Sequence, residues 1–205
     1  MAKLKLTKGE LKRQRDALKQ FKRYLPTLQL KKQQLQLEIL QQNSLLKEKS
    51  AHLDKKKQAV YQWIGLLSDL SFDIKPYLKS GDTKTHAKNI AGVNILVFDS
   101  LGFGPSIYDL FLAPLWADLA IESLREIIAL NKEISVIRQG VGILRHELRI
   151  TTQRVNLFEK VKIPLAEENI RLIKIYIGDQ MANAVGRSKI AKRKIEALIL
   201  EEVAP

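Results

Sequence analysis

Every seventh residue from Leu4 onward reads Leu4, Leu11, Leu18, Leu25, Lys32, Ile39, Leu46, Leu53, Val60 and Leu67. A step of seven is odd, so in a strand these side chains would alternate between faces; only a helix gathers them on one side. Holding so long a column against a partner requires the slight under-winding of a coiled coil, because a straight helix drifts by about 20° per heptad. The companion column three residues on reads Thr7, Gln14, Phe21, Leu28, Leu35, Gln42, Lys49, Lys56, Trp63 and Leu70. It is only half apolar, which predicts a narrow seam rather than the broad face of a globular bundle helix. Thr7-Lys8-Gly9-Glu10 offers a capping box at the start, and the predicted helix runs from about Thr7 to the Lys75-Pro76 region.

A second seam follows in the C-terminal half. Ile127, Ile134, Val141, Leu148 and Val155 form one column, and Leu130, Ile137, Leu144, Thr151, Phe158, Leu165 and Leu172 the other. Pro114 suits the first turn of this helix, where a missing N–H costs nothing. Lys162 and Asn169 break the first column and Pro164 interrupts the backbone ladder, so a bend rather than an end is predicted there. Between the seams, "NIAGVNILVFDSLGFGPSIYDLFL" has β-branched and aromatic residues around a glycine and proline cluster. It predicts two short strands joined by a loop from about Asp99 to Ser106, with the polar "KSGDTKTHAK" before it as a connector.

Two seams of similar length joined through a compact middle predict one helix doubling back on the other. The expected fold is mainly α, a long two-helix antiparallel coiled coil with a small central β-hairpin segment. Its parts are an N-terminal coiled-coil helix over 1–78, a connector and β-hairpin base over 79–113, and a C-terminal coiled-coil helix with a basic tip over 114–205. At about 1.5 Å per residue such arms give a rod on the order of 100 Å long. Doubling back places Lys3–Arg23 and Arg187–Lys194 at one end. It also sets Pro26 within a few residues of the level of Pro164, where both arms are expected to bend.

Charge is concentrated at those ends. The net charge is +13; residues 1–60 hold 16 Lys/Arg against 5 Asp/Glu, whereas residues 61–180 hold 14 of each. The basic stretch lacks the interleaved aromatics of single-strand binders, and its apolar stripe is too narrow for insertion into a membrane surface. A solvated face, a nucleic-acid surface, an anionic lipid surface and an acidic protein partner all remain open on pattern alone. There are no cysteines, which excludes disulfides and thiolate chemistry and fits a reducing, cytoplasmic setting. No apolar run approaches the roughly 20 residues of a membrane span, and residues 1–25 lack the core of a signal peptide, so any membrane link is expected to be indirect.

Catalytic chemistry finds little to stand on. His52, His86 and His146 are far apart without metal-ligand spacing, and His52 and His146 read as helix-surface residues. "GFGPS" at Gly102–Ser106 lacks the Gly-Lys-Ser/Thr ending and following helix of a phosphate loop, and reads as a turn. Glu167-Glu168 sits on a predicted exposed face with no pocket to give it acid/base work. Trp63, Trp116 and the tyrosines read as packing residues. No catalytic, cofactor-binding or metal site is expected, and no direct nucleotide binding.

Three stretches resemble a known family. "RYLPTLQLKKQQL" (Arg23–Leu35), matching at Leu28, Lys31, Lys32 and Leu35, is similar to the signature of the D subunits of the V-type and archaeal-type ATPases. "NIAGVNI" (Asn89–Ile95) resembles that family's central segment. "RVNLFEKVKIPLAEENIRLIKIYI" (Arg154–Ile177) resembles its most specific C-terminal motif, carried by Arg154, Val155, Asn156, Glu159, Ile163 and Pro164. The basic "GRSKIAKRK" also falls in the family's place.

The resemblance implies a non-catalytic component of the central stalk, counterpart of the gamma subunit of F-type ATP synthases, built as a long antiparallel helical pair with a small hairpin. It implies as partners the A and B subunits of the hexamer, the F subunit of the central stalk and the membrane-ring adaptor called C or d, with no nucleic acid and no membrane insertion. On that reading Lys12, Arg13, Arg15, Lys19, Lys22, Arg23, Arg187, Lys189, Lys192 and Arg193 are the expected rotor-tip contacts. The seam is expected to be Leu11, Leu18, Leu25, Ile39, Leu46, Leu53, Val60 and Leu67 against Ile127, Ile134, Val141, Leu148 and Val155.

Overall fold

Thr7 opens the first helix. Its Oγ1 accepts the Glu10 backbone N–H at 3.2 Å, meeting one of the donors that a helix leaves open at its start. The Glu10 carboxylate does not close the box; it accepts from Gln14 Nε2 at 2.8 Å one turn on. Helix α1 then runs Lys8–Tyr61 with Pro26 inside it. The computed structural model describes residues 4–68, 72–109 and 113–203; Leu70 of the companion column and Lys3 of the first basic stretch lie outside them.

Helix α1 ends well before the predicted Lys75-Pro76. Beyond Tyr61 the chain makes two short 3-10 turns, Ile64–Ser68 and Lys75–Leu78. Gly65 weakens any helix there, while Asp73 Oδ1 caps the second turn by accepting the Lys75 N–H at 3.1 Å. Leaving the helix lets Trp63, Leu67 and Phe72 wrap the buried Ile74, Ala120 and Ile121 together with Tyr77, Leu78, Tyr108, Trp116 and Leu124. Phe72, Tyr77 and Tyr108 meet ring to ring at 5.2 to 5.8 Å, and the Tyr108 hydroxyl donates to Asp118. The two tryptophans pack as the sequence suggests.

The hairpin lies elsewhere than predicted. Strand β1 is Ser80–Ile90 and β2 is Val93–Phe103, antiparallel, with Ile90 opposite Val93. The polar "connector" is therefore most of β1, and the turn is Ala91-Gly92, not Asp99–Ser106. Of the strand predicted after that loop, residues 110–112 lie outside the described residues. Both turn residues have positive φ, 51° at Ala91 and 78° at Gly92, the signature of the two-residue turn whose twist matches paired strands. Asn89 and Asn94 flank it: Asn89 Oδ1 accepts the Gly92 N–H at 3.1 Å and Asn89 Nδ2 donates to Asn94 Oδ1 at 2.7 Å. The polar composition misleads because β1 is exposed along nearly its whole length; only Val93 and Ile95, alternating on one face of β2, are buried.

Helix α2 is Ala117–Leu157, one turn later than Pro114 implied, because residues 114–117 form a turn in which the Pro114 carbonyl accepts the Ala117 N–H at 2.9 Å. A π turn over Phe158–Lys162 follows, and helix α3 spans Ile163–Val203. The chain divides into two units, Met1–Gln29 with Gln153–Pro205, and Leu30–Thr152.

In the second unit α1 and α2 are antiparallel. Lys31 pairs with Glu147 and Lys49 with Glu133, both at 2.8 Å, and Lys56 with Glu126 at 2.5 Å, so one number falls as the other rises. Leu35 and Leu144 are fully buried between the helices, and the hairpin tip adds Val93 and Ile95, with Ile39 buried and Ile90, Ala91 and Leu148 alongside. Burying a leucine contributes about 1.5–3 kcal/mol, so this three-way contact is a main anchor of the unit.

In the first unit Phe21 meets Phe158 with ring centroids 5.3 Å apart, and Lys22 pairs with Glu167 at 2.7 Å. Among the described residues of its C-terminal arm, Val155, Ala166, Ile170 and Ile173 are buried. This corrects the predicted column: Leu165 and Leu172 are exposed. The π turn takes up one more residue than an α turn, so the buried stripe moves from 165 and 172 to 166 and 173. Lys162 and Asn169, the breaks in the other column, are stepped past in favour of Ile163 and Ile170.

Candidate functional site

Among the described residues, no group of three or more His, Asp or Glu side chains is placed to hold a metal ion. His52 and His146 are exposed on helices, and His86 lies on β1 with Nδ1 2.7 Å from Asp99 Oδ1 of β2. Gly102 and Phe103 end β2, and residues 104–109 after them are in neither helix nor strand. What the surface offers is charge and helix face, so the candidate site is the pair of basic chain ends in the first unit.

Of the predicted seam residues, Leu11, Leu18 and Leu25 of α1 and Val155 of α2 belong to the unit that carries those ends. Ile39, Leu53, Val60, Ile134, Val141 and Val155 are buried, and Leu11, Leu18, Leu25, Leu46, Leu67, Ile127 and Leu148 are half-buried. Alternation of an apolar column with charged neighbours turns the lysines and arginines between the leucines outward. Lys12, Arg13, Arg15, Lys19, Lys22 and Arg23 are all exposed on α1, and Arg187, Lys189, Lys192 and Arg193 are all exposed on α3.

The two groups lie at different levels of the unit, which corrects the expected single basic tip. Phe21 meets Phe158 and Lys22 pairs with Glu167, whereas Arg187 to Arg193 lie about 30–39 Å further along α3 than Glu167 at 1.5 Å per residue. The start of α1 faces a shallow groove lined by Leu6, Lys8, Tyr176, Ile177, Gln180, Met181 and Ala184, and a second groove joins Leu11, Lys12 and Arg15 to Ile177 and Met181. Arg187 and the cations after it lie beyond that level. From Ala184 to Val203 α3 extends about 28 Å at 1.5 Å per residue, and every side chain from Val185 to Ala197 is exposed. Lys22 is the one cation of α1 named above that the ion pair with Glu167 draws across to the other arm; Lys192 has Glu196 one turn on at 3.6 Å.

Glu167 and Glu168 do sit on an exposed face, and each meets a cation. Arg171 grips Glu168 with two hydrogen bonds, 2.9 Å from Nε and 2.7 Å from Nη2. Those bonds hold the Glu168 carboxyl below its usual range and raise the guanidinium above its own.

Two features escaped the sequence reading. One is Arg125, whose guanidinium lies over the Phe103 ring at 5.2 Å and donates to the carbonyls of Tyr77 and Gly104. The other is the seat of the hairpin tip on Leu35 and Leu144. A hint of the second was present in Gly140, whose missing side chain leaves a place 3.8 Å from the Ile95 Cβ.

Comparison with known proteins adds to this geometry. The family of ATP synthase D subunits matches residues 10–193. The V-type ATP synthase D subunit of Borreliella burgdorferi (strain ATCC 35210 / DSM 4680 / CIP 102532 / B31) is 46% identical over 195 residues, covering 95% of this chain and 96% of that protein. That of Chlamydia pneumoniae is 31% identical over 205 residues, covering 94% and 93%.

Proposed function

The chain belongs to the family of ATP synthase D subunits, and from that premise we propose that it is the central rotor shaft of a V-type rotary ATPase, itself without catalytic chemistry. It transmits torque between a hexamer of A and B subunits and the membrane ring, coupling ATP synthesis or hydrolysis to the transport of protons or sodium ions. The F subunit and the ring adaptor C or d are its partners at the stalk. The observation that carries this reading is the family match over residues 10–193, and the exposed, cationic overhang of α3 beyond the start of α1 supports it.

The mechanism is a matter of differential contact. A shaft that touches no nucleotide biases a catalytic site only if its contacts differ in free energy between the open and closed forms of that site. Long cationic side chains at uneven spacing present a different set of contacts to each surrounding protein at each angle, and charge attraction acts over a range of about 8–10 Å at physiological salt. Contact therefore persists while the shaft turns, where interlocked apolar pockets would hold it at one angle. No helix among the described residues is long and apolar enough to cross a membrane. On this reading the link to the ring runs through protein partners on the cytoplasmic side.

The nucleic-acid reading of the basic ends gains no support from the family. Reconstitution with the A and B subunits tests the shaft. Because the chain has no cysteine, Ser100→Cys on the hairpin gives a single attachment point for a bead. ATP-dependent turning of that bead is the expected result; a hexamer that binds the chain in equal stoichiometry yet never turns it counts against the reading. Replacing Arg187, Lys189, Lys192 and Arg193 with glutamine is expected to lower rotational torque and the salt sensitivity of assembly together.

A further inference from the structure

Three observations converge on the five residues Phe158–Lys162. The first is register. A seven-residue step from Val155 lands on Lys162, and from Phe158 on Leu165; Lys162 is exposed and Leu165 is 52% exposed. A step of eight lands instead on the half-buried Ile163 and on Ala166, which is 3% exposed, after which steps of seven resume at Ile170 and Ile173. One residue is surplus to the repeat.

The second is the hydrogen-bond ladder. The Ile163 N–H donates to the Phe158 carbonyl five residues back. Pro164 has no N–H, so the Lys160 carbonyl loses its α-helical donor and the Glu159 carbonyl has none in the wider π spacing. The third is packing. Phe158 rests on Phe21, but Glu159, Lys160, Val161 and Lys162 are all exposed, so burial of their side chains does little to compensate for the interrupted ladder.

We propose that the π turn is a compliant joint in the C-terminal arm, a single inserted residue at which the helix opens and twists more readily than on either side. A segment with a defective ladder and exposed side chains opens at low free energy, whereas Val155 before it and Ala166, Ile170 and Ile173 after it are clamped by burial. Twist applied to this arm therefore concentrates in one turn and leaves the seam contacts intact. Its use as a torsional spring rests on the rotor reading; the joint itself does not.

The test is backbone amide exchange on the full-length chain, which reads the joint without any hexamer. Amides of 159–163 are expected to exchange at least about tenfold faster than those of 166–173. Deleting Lys160 together with Pro164→Ala removes the surplus residue and returns the missing donor. The far-UV helical signal is expected to be retained and exchange at this turn to slow to the flanking rate. Protection in the parent chain equal to its flanks would overturn the joint, as would fast exchange that survives the deletion. Loss of helical signal in the deletion variant would overturn the inserted-residue account. Pro164→Ala alone leaves the register untouched and is expected to slow exchange about threefold; no change would remove the ladder defect as its cause.

Discussion

Arg125 donates twice to the Tyr77 carbonyl, from Nε at 3.0 Å and from Nη2 at 2.8 Å. The same Nη2 reaches the Gly104 carbonyl at 2.8 Å. One side chain of α2 thus ties down both the chain entering β1 and the chain leaving β2. Hydrogen bonds to a charged donor contribute about 1.5–3 kcal/mol each when lost from a shielded site, so Arg125→Ala is expected to cost about 2–4 kcal/mol. Arg125→Lys recovers little of it, because an ammonium cannot reproduce the planar fork or the stack on Phe103. Denaturant titration followed by near-ultraviolet tyrosine and tryptophan signals measures both.

Leu144→Ala is expected to destabilise the second unit by about 2–5 kcal/mol, the range for a fully buried leucine whose surroundings relax only in part. The hairpin tip leans on that side chain, so trypsin is expected to cut at Lys84 and Lys88 faster in the variant. Equal cutting in variant and parent would show that the tip is held by something else.

The Ala91-Gly92 turn makes opposite demands at adjacent positions. Gly92→Ala puts a Cβ into the left-handed region, where the cost is about 1–2 kcal/mol, although open space surrounds the added atom. Ala91→Gly relieves the same strain at φ 51° but gives up contact with the core, so it is expected to change stability by less than about 1 kcal/mol. Ala91→Val, β-branched at positive φ, is expected to be the most damaging of the three. Thermal melts of the three variants rank them.

Acid weakens the Glu168–Arg171 pair. The folded-state carboxyl is held low by its bonds to the guanidinium, so the pair adds stability above the unfolded carboxylate's pKa and loses it as pH falls through the folded value. Both groups are exposed and the effect on stability is small. The direct check is a carbon-detected titration of Glu168, whose midpoint is expected to rise in Arg171→Gln.

Heptad arithmetic made the helices legible because a coiled coil writes its contacts at a fixed step: Ile39, Leu53, Val60, Ile134, Val141 and Val155 are buried as the columns require. It failed past Val155 because one π turn breaks the step, although the sudden polar pair Lys162 and Asn169 beside Pro164 carried the signal. The hairpin was misplaced because β1 buries almost nothing and its turn is Ala-Gly rather than a stronger turn pair such as Asn-Gly. In the candidate site, which side chains are exposed followed from periodicity. The overhang of α3 past α1 did not, since it depends on where α1 ends at Tyr61 and on how much chain the base and hairpin take up.

Among the described residues, four ion pairs between the arms all put lysine on α1 and glutamate on the other arm: Lys22 with Glu167, Lys31 with Glu147, Lys49 with Glu133 and Lys56 with Glu126. Two copies of α1 laid against each other would set ammonium against ammonium along the same stripe, and two copies of the returning arm carboxylate against carboxylate. Mispairing between molecules is thereby penalised before assembly, and each chain is left to choose its own second half.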